Sequence, residues 1–109
     1  MQTLPDGLIV ILKRACPTCA LIEPVLGQLA GGDQPLTVIV QDTADFNVGN
    51  GEQIHDKTLE WSWQLDCEIV PTLISRANGK ELNRTYGWFR EDWEHLSGMT
   101  GLGADLPPS

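Results

Sequence analysis

Leu8-Ile9-Val10-Ile11-Leu12-Lys13-Arg14-Ala15-Cys16-Pro17-Thr18-Cys19-Ala20-Leu21-Ile22-Glu23-Pro24-Val25-Leu26 is the stretch on which the reading of this chain turns. Its first five residues are continuously apolar and rich in β-branched side chains. That pattern suits a strand buried on both faces at the centre of a parallel sheet. From Cys16 to Ala30 the period changes. Ile22, Val25, Leu26, Leu29 and Ala30 recur at the spacing of one buried helix face. Pro17 fits the first helical position, where a missing N–H costs nothing, which makes Cys16 the N-cap and Cys19 the third helical residue. Pro24 lies inside the helical pattern and should kink it. Gly31-Gly32 ends it. Leu36–Val40 is a second buried strand, so strand, helix and strand form a right-handed βαβ unit.

Beyond this unit the signals are less even. Residues 41–57 are polar and rich in Gly and Asn, and no element is assigned to them. In residues 58–66, Leu59, Trp61, Trp63 and Leu65 alternate as a strand would, while Ile54, Thr58, Trp61 and Leu65 sit at helical spacing. Helix is preferred, because a second crossover is needed here. Val70-Pro71-Thr72-Leu73-Ile74 begins another strand. Asn78-Gly79 is a strong hairpin signal, with Glu81–Tyr86 as the return strand. Phe89, Trp93 and Leu96 form a helical stripe, with Glu91 and Asp92 in the first turn to complement the helix dipole. Leu106-Pro107-Pro108-Ser109 reads as a tail or the start of a linker. The expected order is β-α-β-α-β-β-α, an α/β domain over residues 1–105 with a central four-stranded mixed sheet flanked by helices.

The 109 residues fit one domain and can bury a core without disulfide staples. A net charge of -8 argues against nucleic acid, which needs clustered Lys and Arg, and against anionic membrane surfaces. Two of only seven basic residues, Lys13 and Arg14, nevertheless precede the cysteine pair. Met1–Gly7 has neither a basic leader nor a long apolar core, and Leu8–Leu12 is too short to span a bilayer. A cytoplasmic protein is expected. Three cysteines are too few for a secreted disulfide framework, so a close Cys pair reads as catalytic or metal-binding.

Disulfide exchange needs a thiolate as nucleophile. As N-cap, Cys16 would direct its sulfur at the free N–H groups of Thr18 and Cys19, and those donors and the helix dipole favour a negative sulfur. Cys19, one turn along, can reach Cys16 to close a disulfide. It should face inward and be the less accessible of the two. Cys16 would then attack a substrate disulfide, and Cys19 would resolve the mixed disulfide.

These residues resemble the thioredoxin superfamily: a buried strand, Cys-x-x-Cys opening a helix, Pro24 followed by Val25-Leu26, then Ile69-Val70-Pro71-Thr72, a hairpin at Asn78-Gly79, Gly87 and a final helix. The resemblance covers residues 7–98. It implies a thiol–disulfide oxidoreductase with Cys16 and Cys19 as catalytic residues and Ala15, Pro17 and Thr18 as the active-site loop. It also implies that Pro71 is cis beside the Cys pair and that Val70 offers its backbone to an extended substrate segment. Partners would be protein disulfide substrates, with a thioredoxin reductase or small thiols as electron donor, and neither a metal nor an organic cofactor.

The chain departs from that family at several points. Ala15 stands where thioredoxins carry Trp. Pro17-Thr18 replaces Gly-Pro. Val10 occupies the place of a buried Asp that helps deprotonate the second cysteine, leaving water or Glu23 to serve. The chain is expected to lack the family's extra N-terminal strand and helix, and Gln41–Lys57 reads as an insertion. Cys-Pro-x-Cys also occurs in glutaredoxins, but their Gly-Gly glutathione motif is missing. The rival reading from a different class is a binding or adaptor module on the same fold, with a vestigial or regulatory redox pair. A zinc or iron–sulfur site would need Cys67, His55 or His95 to join the pair, and their positions suggest no second knuckle. Cys67 itself reads as a small core residue, with a resolving or regulatory role as its sharper alternative. His55 and His95 read as exposed polar residues. The four tryptophans read as core and interface fillers, with Trp61 or Trp63 as a candidate substitute for the missing Trp.

Overall fold

Strand β1 (Gly7–Leu12) is buried along its whole length, as its unbroken apolar run requires. It pairs in parallel with β2 (Leu36–Val40) on one side, placing Val10 opposite Val38. On its other side β4 (Thr72–Ala77) runs antiparallel, with Leu73 opposite Val10. The hairpin to β5 (Lys80–Tyr86) turns at Asn78 and Gly79, both at positive φ. These features come from a computed structural model that describes residues 3–109. Met1 and Gln2, where the expected 1–105 domain and the Met1–Gly7 segment begin, lie outside the described residues.

Among the described residues the sheet has five strands, not the expected four, in the order β3-β2-β1-β4-β5. The addition, β3 (Glu52–His55), lies in the polar stretch to which no element was assigned and pairs in parallel with the outer edge of β2. Its sequence hides it for a physical reason. An edge strand needs little apolar surface, and Ile54 is its one apolar residue, packed against Ile39 and its neighbours.

The first helical stretch is two helices. α1 (Pro17–Leu21) stops at Ile22, and α2 (Glu23–Ala30) starts anew with Pro24 in its first turn. The proline cannot donate to the carbonyl one turn back, so the axis breaks where the sequence places the kink. α3 (Glu60–Gln64) is helical but only about one turn long. α4 (Arg90–Ser97) closes on Gly98, which takes a left-handed conformation. Phe89 is its N-cap and is half exposed, so it does not share the buried stripe expected with Trp93 and Leu96.

Alternate residues of the central strands feed two cores. Leu8, Val10, Leu12, Val38, Val40 and Leu73 meet α1, α2 and α4 on one face. Ile9, Ile11, Ile39 and Ile74 meet Leu65 and Trp61 on the other. After α4 the chain folds back over the first core. Leu102 is fully buried. Gln28 binds both the Gly101 carbonyl at 3.0 Å and the Gly103 N–H at 2.8 Å. Trp88 Nε1 donates to the Pro107 carbonyl at 2.8 Å, and the Arg90 N–H to that of Pro108 at 2.9 Å.

Candidate redox site

β1 and β2 are parallel neighbours, so their C-terminal ends open at the same edge of the sheet, and the two loops that leave them lie side by side. The first carries Lys13 to Cys16. The Cys16 N–H donates to the Lys13 carbonyl at 3.1 Å, closing a tight turn. Cys16 is extended, with φ -85° and ψ 117°, the backbone of an N-cap. Its Sγ accepts the Cys19 N–H at 3.2 Å. A sulfur so placed faces the unpaired donors of the first turn, and any negative charge on it strengthens that bond.

Cys16 is half-buried and Cys19 fully buried, so Cys19 is the less accessible of the two, as expected. Burial pushes the Cys19 thiol up to about 12, and its hydrogen bond with Cys16 adds to the rise. Val10 belongs to the same buried cluster, so β1 places no acid beneath Cys19. Glu23 is committed elsewhere. It holds the Arg14 guanidinium through both oxygens, at 3.3 and 3.2 Å, and accepts the Asn47 N–H at 2.7 Å. Arg14 first, and then that N–H, keep its carboxyl below the usual glutamate range.

The loop before β4 reaches the same place. The Val70–Pro71 peptide is cis. The Val70 carbonyl lies 4.0 Å from Cys16 Sγ, and the Pro71 carbonyl accepts the Gly87 N–H at 2.7 Å. Val70 is half-buried and Pro71 buried, while Ala15, Pro17 and Thr18 are exposed around the half-open sulfur.

No protein-family model matches the sequence, and no curated protein matches it. Among solved structures it is similar to a thioredoxin from Malassezia sympodialis (Mala s 13), with a TM-score of 0.60. The match covers 88% of this chain and 79% of the other, at 16% identity, so the likeness is one of fold. The chain has a thioredoxin fold.

Within this thioredoxin fold the other singled-out residues disperse. Cys67 packs with the Ile9 and Ile74 cluster on the α3 face and donates to the Ile69 carbonyl at 3.2 Å. Burial raises its thiol as well. His55 lies on β3 and His95 on α4, both exposed. Among the described residues, no three His, Cys, Asp or Glu side chains are grouped to hold a metal ion. No helix among them is long and apolar enough to cross a membrane. Trp61 packs into the α3-side core, while Trp63 is 78% exposed. Trp88 and Trp93 meet edge to face beside α4.

Sequence reasoning passed over Asp42 and Phe46. Phe46 is buried in the first core, and the Arg14 guanidinium lies 3.7 Å above its ring. The signal for Asp42 was its position just after β2, beside the Cys16 loop in any parallel βαβ unit.

Proposed function

We propose that the chain is a thiol–disulfide oxidoreductase acting on disulfides of partner proteins. The observation that carries this reading is Cys16 at the helix N-cap, its sulfur 3.2 Å from the Cys19 N–H and 4.0 Å from the carbonyl preceding cis-Pro71. Cys16 thiolate attacks one sulfur of the substrate disulfide. The S–S bond breaks, and the departing sulfur leaves as a thiolate that takes a proton from solvent. Cys19 then loses its proton and attacks Cys16 Sγ in the mixed disulfide. The second substrate thiol leaves, and two electrons have passed from the Cys pair to the substrate. A reductase or small thiols would restore the dithiol, and an oxidised pair would run the sequence in reverse. Val70 lies where its backbone can meet an extended substrate segment.

The test is intact mass after alkylation, with the protein equilibrated in a series of dithiol redox buffers. Two thiols should disappear and return together, and Cys16→Ser should abolish the cycle. Cys19→Ser should instead accumulate mixed disulfides through Cys16. A pair that never oxidises sinks the reading.

The adaptor reading has one observation in its favour: the Cys19 thiol is raised with no acid beneath it, which slows resolution. An adaptor would retain its partners with both cysteines replaced by serine.

A further inference from the structure

Asp42 stands at the end of β2, beside the turn that leads from β1 into Cys16. Its Oδ1 accepts the Arg14 N–H at 2.6 Å and the Thr43 N–H at 2.7 Å. Its Oδ2 accepts the Ala15 N–H at 2.9 Å. One carboxylate therefore holds two successive peptide groups directly before the attacking cysteine. The turn they form sets the extended backbone of Cys16, and that backbone sets Sγ over the Cys19 N–H.

Neighbouring contacts serve a different part of the loop. Arg14 pairs with Asp45 at 2.9 Å and with Glu23, and stacks on Phe46. These contacts fix a side chain and the segment after Asp42, not the peptide groups before Cys16.

We propose, on the redox reading above, that Asp42 is a positioning residue for Cys16: it fixes the turn that aims the sulfur at the start of α1 and so raises its reactivity. Burial acts to push the Asp42 carboxyl up, but the N–H groups of Ala15, Arg14 and Thr43 outweigh it and hold the group below the usual aspartate range. It is an ionised acceptor at neutral pH. The sign of its effect separates two accounts. As a bare negative charge, Asp42 would repel a thiolate and slow Cys16, so removing it would speed the reaction. As the holder of the turn it does the opposite, so removing it slows Cys16.

The experiment compares the second-order rate of iodoacetamide with Cys16 at one neutral pH. The modified peptide is resolved by mass for the unsubstituted protein and for Asp42→Ala, Asp42→Asn and Asp45→Ala. Loss of about one net hydrogen bond at the sulfur corresponds to a slowing of roughly fivefold for Asp42→Ala. Asp42→Asn keeps one acceptor oxygen and should fall between. Asp45→Ala removes a nearby charge and a bond to the Arg14 side chain but none to the backbone of the turn, and should stay within about twofold. A residue that only stabilises the fold leaves the rate in the folded state unchanged. An unchanged or faster rate in folded Asp42→Ala overturns the proposal. If that variant loses its cooperative unfolding transition, Asp42→Asn decides alone. If both lose it, Asp42 is a determinant of folding and the proposal falls. Should the unsubstituted pair fail to cycle, the redox reading falls by itself, and the alkylation rates still decide the part played by Asp42.

Discussion

Cys19 places the heaviest demand on the proposed cycle. Its thiol is buried in an apolar cluster and lifted to about 12, and β1, which supplies Val10 to that cluster, carries no acid to ease its deprotonation. With the pKa raised, the reactive thiolate is a minor species at neutral pH, and its population grows as pH rises toward that value. Resolution of a preformed mixed disulfide should therefore speed up by about tenfold per pH unit from neutral into the mildly alkaline range. Stopped-flow release of a thiol-bearing fluorophore coupled to Cys16 would measure this, and a flat profile would show that deprotonation of Cys19 does not limit the step. At this scale the sequence was legible where one residue type has one reading. Pro17 makes Cys16 an N-cap, and Val10 denies an acid to the core. It was mute where function depends on a partner distant in the chain. The place of Asp42 just after β2 puts it near the Cys16 loop but does not reveal that it binds residues 14 and 15, and nothing local to Glu23 reveals that Arg14 and Asn47 claim it.

Among the elements, β1, β2, the β4–β5 hairpin and a helical segment interrupted near Pro24 were legible, because each buries a periodic apolar face or carries a residue with one backbone solution; that the interruption divides the segment into α1 and α2 was not. β3 was not, since it is held mainly by backbone pairing, and periodicity detects side chains. α3 was ambiguous because one turn is too short to establish a period. Two glycines show how differently the element boundaries are built. Gly79 sits at φ 77° in the hairpin with open space around it, so Gly79→Ala bears only the backbone penalty, about 1–2 kcal/mol. Gly7 opens β1 at φ 99°, and an added Cβ would lie 2.5 Å from the Pro35 carbonyl oxygen. That oxygen accepts the Leu8 N–H at 2.9 Å and cannot retreat without breaking the bond. Gly7→Ala should exceed the cost at Gly79 by about 1–3 kcal/mol. Urea denaturation of the two variants checks the order, and equal costs would contradict the close approach at Pro35.

Across the whole molecule, two cores share one sheet, and the C-terminal segment seals the one that contains Cys19. Leu102 is fully buried against that core, so Leu102→Ala should cost about 2–5 kcal/mol, comparable to truncation of a leucine in a helix. Equilibrium unfolding would show it, and a loss well below 1 kcal/mol would mean that this segment is not integral to the fold. The Pro-Pro signature suggested a tail because proline marks breaks in regular structure. It carries no information on whether neighbouring carbonyls find donors, as those of Pro107 and Pro108 do on Trp88 and Arg90. The same seal gives the protein an optical gauge of its own. The Trp88 and Trp93 rings lie 5.3 Å apart at 72°, a chiral, close pair of indoles whose transitions couple. Trp88 is anchored to the C-terminal segment through its indole N–H, and Trp93 is anchored to the Gly87 carbonyl through its own at 2.8 Å. Circular dichroism in the aromatic band thus reads whether the end of the chain is seated, against a background in which exposed Trp63 contributes little ellipticity and Trp61 reports on the opposite core.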